Sequence, residues 1–242
     1  MEKRRKRKYD DEEVEAIKEV APVLTRKSLK QIKFTQSQLT FIKTIDNNYI
    51  TTCTGPAGSA KTFVSCFYAI DQYIKGNFKK IVLMKPAVES GDSVGFLPGT
   101  LQEKIAPYME SYVSNIKKII GTENYNNMLA QGVIEMKSLS HERGVTEDDS
   151  IMILDEAQNS DLRQLILFTT RMGKTSKVII CGDTTQWDEK KRRKDFLTFN
   201  KIMEGTEGIG LFSYTREDIV RHKIIIEITD RYEKYKIDNN LD

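Results

Sequence analysis

Gly55-Pro56-Ala57-Gly58-Ser59-Ala60-Lys61-Thr62 is the stretch on which the reading of the fold turns. A β-branched run at 49–52 precedes it and a helical pattern over 61–74 follows it, so its glycines join a predicted strand to a predicted helix. In a loop of this kind successive backbone N–H groups turn inward toward phosphate oxygens, and the helix that follows adds the positive end of its dipole. Lys61 is then expected to reach the β- and γ-phosphates of a nucleoside triphosphate, and Thr62 to offer its hydroxyl to a magnesium ion. The expected nucleotide-binding stretch is Gly55, Pro56, Ala57, Gly58, Ser59, Ala60, Lys61, Thr62 and Phe63. One position is irregular, because Ala60 stands where a glycine is usual. In right-handed helical φ/ψ its methyl is tolerable, whereas a positive φ costs on the order of 1 kcal/mol or more.

Outward from the loop, apolar and β-branched runs at 49–52, 80–84, 133–139, 151–154, 178–181 and 210–214 read as strands. Helical patterns fill the gaps at 36–45, 61–74, 101–120 and 161–171. Such alternation predicts an α/β fold, a mostly parallel sheet covered by helices on both faces. The run 224–228 is ambiguous: its isoleucines favour a strand, but the charged stretch after it reads as helix. Residues 1–20 read as a mobile tail and 21–242 as one domain.

A second chemical signal is the apolar run that ends at Leu154-Asp155-Glu156. Asp155 at a strand end is placed to hold a magnesium ion through water, and Glu156 to orient or deprotonate an attacking water. Two carboxylates after an apolar run are weak alone and gain meaning from the loop. A third strand ends in Cys181-Gly182-Asp183-Thr184-Thr185-Gln186, where Gln186 is a candidate γ-phosphate sensor and a turn capped by Asp183 is the alternative.

Composition fits this picture. The 242 residues are 39% hydrophobic and 30% charged, a globular balance. No apolar run approaches the roughly 20 residues that span a bilayer, and the start of the chain is charged, so the expectation is a cytoplasmic protein with no membrane contact. Cys53, Cys66 and Cys181 are odd in number and lack metal-ligand spacing, which suggests reduced core thiols. Net charge is only +3, but it is clustered: Lys3 to Lys8 are six consecutive basic residues, and a second cluster spans Lys190 to Lys194. Both are candidates for phosphate-backbone contact, with a solvated tail and a solvated loop as the alternatives. No further carboxylate cluster suggests a two-metal nuclease.

With these residues in hand, the chain resembles the PhoH family of P-loop ATPases, related to the superfamily 1 helicase core. The loop, the run from Lys85-Pro86-Ala87-Val88-Glu89 to Gly95-Phe96-Leu97-Pro98-Gly99, the box Ile153-Leu154-Asp155-Glu156-Ala157-Gln158-Asn159, Gly182-Asp183-Thr184-Thr185-Gln186 and Asp218-Ile219-Val220-Arg221-His222 look like that family's blocks. The resemblance covers residues 34–235. It implies a three-layer RecA-like fold, ATP with magnesium as cofactors, and Gln38 against the adenine edge. Lys85 stands where an arginine is usual. Set against the resemblance, the N-terminal accessory domain of bacterial members is not expected in this chain, and a minimal, phage-encoded version is the expectation. A single core further implies a head-to-tail homo-oligomeric ring, a hexamer by resemblance, whose neighbouring subunit supplies an arginine in trans. Arg221 is the preferred finger and Arg171 the second candidate, with a surface salt-bridge residue as the alternative for both and the favoured reading for Arg171. RNA or single-stranded DNA is the implied partner, with Arg143 and Lys85 near its phosphates. A P-loop small-molecule kinase and an ATP-gated interaction module remain alternatives, Glu156 speaking against the first and Ala60 slightly for the second.

Overall fold

The computed structural model describes residues 29, 31–86, 101–139, 145–183 and 190–239. Its elements run α1 (Gln36–Asn47), β1 (Ile50–Thr54), α2 (Lys61–Ile74), β2 (Lys80–Lys85), α3 (Leu101–Ile120), α4 (Thr122–Ala130), β3 (Ile134–Ser138), β4 (Ser150–Leu154), α5 (Leu162–Thr169), β5 (Lys177–Gly182), α6 (Lys190–Met203), β6 (Ile209–Ser213) and α7 (Lys223–Asp238). All six strands are parallel, in the order β3-β2-β4-β5-β1-β6.

Side chains alternate across a strand, and here the alternation sorts one sheet into two cores. Cys53, Ile81, Leu83, Ile151, Ile153, Ile179 and Cys181 join Phe41, Ile70, Tyr112 and Ile116 of α1, α2 and α3 on one face. Val82, Met84, Met152, Leu154, Val178 and Ile180 meet Leu165, Phe168, Phe196 and Phe199 of α5 and α6 on the other. All five residues of β4 are buried, as expected of a strand covered on both faces. The result is the expected three-layer α/β fold, with a sheet that is wholly parallel.

Local chemistry fixes the layers in place. Thr35 and Gln38 form a reciprocal capping box at the start of α1, satisfying two backbone donors at the helix start. At its other end Lys177 Nζ donates to the carbonyls of Ile45, Asp46 and Asn48 at 2.6, 3.0 and 2.7 Å, a cation where the helix dipole is negative. Tyr112, fully buried in α3, has its hydroxyl 2.9 Å from the Met84 carbonyl and 3.2 Å from that of Ile153, tying α3 to β2 and β4. The three cysteines are buried and free, and burial pushes the Cys53 and Cys66 thiols well up.

Three sequence expectations change. The basic cluster Lys190 to Lys194 opens helix α6 and is not a loop; Phe196 and Phe199, three residues apart and both buried, anchor that helix to the sheet. The ambiguous run 224–228 lies inside α7, and α4 is a helix beyond those the periodicity predicts. The tail 1–20, most of the block at 85–99, His141, Arg143 and Gln186 lie outside the described residues. Among the described residues no helix is long and apolar enough to cross a membrane.

Candidate nucleotide-binding site

Parallel strands deliver their carboxyl ends to one edge of the sheet, and open α/β folds bind ligands there. Here that edge carries a cleft of 590 Å³ lined by Gly58, Lys61 and Thr62 after β1, Asp155 and Glu156 after β4, and Gly182 and Asp183 after β5, within the size range of a small-molecule site. Gln38 and Phe63 line it too, with Asn115 and Lys118 of α3 on its wall.

The loop after β1 keeps an unusual backbone. Gly55 has φ 143° and a Cβ there would lie 2.7 Å from Tyr214 Cβ; Gly58 has φ 88° and a Cβ would lie 2.7 Å from Arg221 Nε. Ala60 takes φ 66° and ψ 24°, so the costlier of the two conformations considered for it is the one adopted. Glycine is the residue this position suits. Helix α2 begins directly after it with no side-chain cap, and the first satisfied helical amide is that of Val64, which donates to the Ala60 carbonyl at 2.9 Å. Early helical N–H groups of this kind are anion donors. Lys61 is 9% exposed, and its Nζ donates to the loop carbonyls of Gly55 and Pro56 at 2.7 and 2.9 Å. The ammonium therefore sits inside the curl of the loop, where a polyphosphate would meet it.

The donors expected to hold a metal are brought together from opposite sides of β5. Thr62 Oγ1 donates to Asp155 Oδ2 at 2.9 Å, and Lys85 Nζ lies 3.9 Å from the same oxygen. Burial raises the Asp155 carboxyl above its ordinary value and Glu156 adds to the effect, while Lys85 and the Thr62 hydrogen bond act the other way. A buried carboxylate whose charge is incompletely offset, beside a hydroxyl oxygen, is a donor set that fits a hard divalent cation such as magnesium.

Glu156 follows in left-handed backbone, φ 58° and ψ 37°, a conformation costly for a side chain of this size and concentrated at functional sites. Its Oε2 accepts a 2.6 Å hydrogen bond from Gln158 Nε2, and Gln158 Oε1 accepts one of 2.8 Å from the Asp183 backbone N–H. Gln158 is visible in the sequence only as one letter of the box 153–159; nothing in its spacing announces a contact to the end of a different strand. Asn115 and Lys118 carry no sequence signal at all, because α3 reaches the cleft only through tertiary packing.

The remaining candidates divide. Gln38 is 6% exposed, not a surface glutamine, and its Oε1 accepts from the Thr35 backbone N–H at 3.0 Å. Arg221, expected to reach a neighbour, lines its own chain's cleft and packs over Gly58, held there by the Val220 N–H bonded to the Gly58 carbonyl at 3.0 Å. Arg171 lies elsewhere, beside the bridge between Glu147 and Met172 that precedes β4 and β5.

The family model described as PhoH-like protein matches residues 31–233. The chain is 37% identical over 201 residues to the PhoH-like protein of Bacillus subtilis (strain 168), covering 83% of this chain and 63% of the relative. It is 30% identical over 207 residues to Protein PhoH of Escherichia coli (strain K12), covering 84% and 56%. The chain thus spans less than two thirds of the length of these relatives. Among solved structures, the large terminase of a thermophilic bacteriophage has a similar fold at 11% identity, with a TM-score of 0.51 over 85% of this chain and 50% of that one. By the extent of the family match and the identity to these relatives, the chain belongs to the PhoH-like protein family.

Proposed function

We propose that this chain binds ATP with magnesium and hydrolyses it. The observation that carries the reading is the meeting of Thr62 and Asp155 at 2.9 Å at the mouth of a loop whose lysine is already turned inward. Lys61 and the first amides of α2 bind the phosphates, Thr62 and Asp155 hold the cation, and Glu156 orients the attacking water and accepts its proton. A magnesium ion held by Thr62 and Asp155 would supply charge neutralisation to the phosphates. Arg221, lying over Gly58 of its own chain, is placed to meet the γ-phosphate in cis, and Gln38 to face the base.

Hydrolysis is further proposed to be coupled to RNA or single-stranded DNA, in a head-to-tail ring, with a hexamer as the proposed number. Arg221 and Arg171 are the two candidates for a trans arginine in that ring, Arg171 being the one that remains if Arg221 serves its own loop. Trans arginines are worth about 10³–10⁵ in rate where they operate. A second reading, an ATP-gated interaction module with slow turnover, is favoured by the strained Ala60.

The deciding experiment measures phosphate release by wild type, Lys61→Ala and Glu156→Gln, each alone and with single-stranded RNA or DNA. Loss of turnover in both variants, with nucleotide binding kept in Glu156→Gln, supports hydrolysis, and stimulation by polynucleotide supports coupling. Equal rates in all three proteins overturn the site. Sedimentation with ATP tests the ring, and Arg171→Ala against Arg221→Ala tests which arginine acts.

A further inference from the structure

Gln158 is a buried amide that spans two strands' ends and belongs to neither the loop nor the carboxylate pair. It is 5% exposed and sits in the 3-10 turn at Ala157–Asn159 directly after Glu156. Both ends of its amide are engaged. The Oε1 end must face the Asp183 N–H at 2.8 Å, since that partner can only donate. This assigns the flip of the amide and leaves Nε2 facing Glu156 Oε2 at 2.6 Å.

The consequence reaches Glu156. Its backbone is in the left-handed region, so the position of its carboxylate is not secured by a relaxed local conformation. A 2.6 Å hydrogen bond to an ionised oxygen is of the short, charge-assisted kind. It leaves the second carboxylate oxygen available to a water in the cleft that Glu156 lines. The other end of the same amide is fixed to Asp183, where β5 enters that cleft. One rigid planar group thus references Glu156 to the strand that runs between the loop strand and the acid-bearing strand.

We infer that Gln158 is a positioning residue for hydrolysis: it holds the Glu156 carboxylate in the orientation that aligns the attacking water, using the Asp183 backbone N–H as its fixed reference. The inference rests on the proposed ATP hydrolysis, with Glu156 as the group that works on water. A supporting residue of this kind is typically worth about 10–100-fold in activity, and because it acts through Glu156 the loss belongs in kcat.

The test compares Gln158→Leu and Gln158→Glu in the full chain, reading kcat and KM for ATP, affinity for a fluorescent ATP analogue, and the thermal midpoint. Gln158→Leu removes both hydrogen bonds. Gln158→Glu keeps the acceptor for the Asp183 N–H but sets a second carboxylate against Glu156. Positioning predicts that both variants lose about 10–100-fold in kcat, with KM and analogue affinity within about twofold of wild type. A purely structural role predicts that Gln158→Glu, which preserves the tie to β5, turns over at close to the wild-type rate, and that result overturns the inference. Should Gln158→Leu fail to fold, Gln158→Glu decides alone. A wild-type protein that hydrolyses no ATP refutes the parent reading instead, whereas wild-type turnover with an unaffected Gln158→Glu refutes only this one.

Discussion

Gly58→Ala tests whether Arg221 belongs to its own chain's loop. Two separate costs are built into the substitution. The first is backbone strain: at φ 88° an L-residue pays about 1–2 kcal/mol. The second is steric, because the new methyl would lie 2.7, 2.8 and 2.9 Å from Arg221 Nε, Cδ and Cγ. These are atoms of a flexible side chain that yields by moving, so this cost falls near the lower end of overpacking penalties, about 1 kcal/mol. Alanine also stiffens the unfolded chain and returns about 0.4–1 kcal/mol. The net expectation is a loss of about 1–2.6 kcal/mol in the otherwise wild-type protein and about 0–1.6 kcal/mol when Arg221 is already alanine. The difference, a coupling of about 1 kcal/mol, is the quantity that reports the contact. In a domain of this size it corresponds to about 2–4 °C of thermal midpoint. Thermal unfolding of wild type, Gly58→Ala, Arg221→Ala and the double variant measures it at protein concentrations where the chain is monomeric. Equal costs of Gly58→Ala in both backgrounds refute the placement of Arg221 over the loop and return it to the role of a finger for a neighbour.

Ala60→Gly is expected to melt no lower than wild type. Release of about 1–2 kcal/mol of left-handed strain is partly offset by a freer unfolded chain and a lost half-buried methyl, leaving a gain of about 0–1 kcal/mol; a fall in the midpoint contradicts the conformation described. Lys177→Met keeps the aliphatic stem but removes three hydrogen bonds from the end of α1. The expected cost is about 2–4 kcal/mol, read as a denaturation midpoint, and an unchanged midpoint refutes the capping role. Burial pushes the Asp218 carboxyl up, but hydrogen bonds from Ser37 and Thr215 outweigh it and hold the group below its ordinary 3.8. A depressed carboxyl stabilises the fold above its unfolded value and loses that contribution as pH falls through its folded value. The stability gap between wild type and Asp218→Ala is therefore constant above pH 3.8 and narrows below it; a gap that widens on acidification reverses the sign and refutes the assignment.

What could be read from the sequence was what is local. The glycines of the loop, the helix opening at Lys61 and the carboxylates after an apolar strand are all announced by neighbours within a few residues, and the three-layer α/β class follows from their alternation. The charge of Lys190 to Lys194 hid a helix, because its signal lay in Phe196 and Phe199 just beyond the run. Burial of Gln38 depends on how α1 lies against the sheet, which no single amide encodes. The side of the molecule served by Arg221 depends on the path of the chain from β6 back across the loop, and Gln158 acts across a gap between strands that are neighbours only after folding. In each case the missing information was the packing of segments distant in sequence.

The strand that carries the loop, β1, lies between β5 and β6, and the loop itself is bonded through Gly58 to Val220. Both neighbours of β1 and that clasp are synthesised after β4 and its carboxylates. A nascent chain that already contains Lys61, Thr62, Asp155 and Glu156 thus still lacks the walls that give the loop its shape. Such late closure joins segments distant in sequence, the kind of high-contact-order pairing that slows folding. A ribosome-stalled chain ending before residue 209 is therefore expected not to retain nucleotide, while one with Val220 and Arg221 fully emerged is expected to.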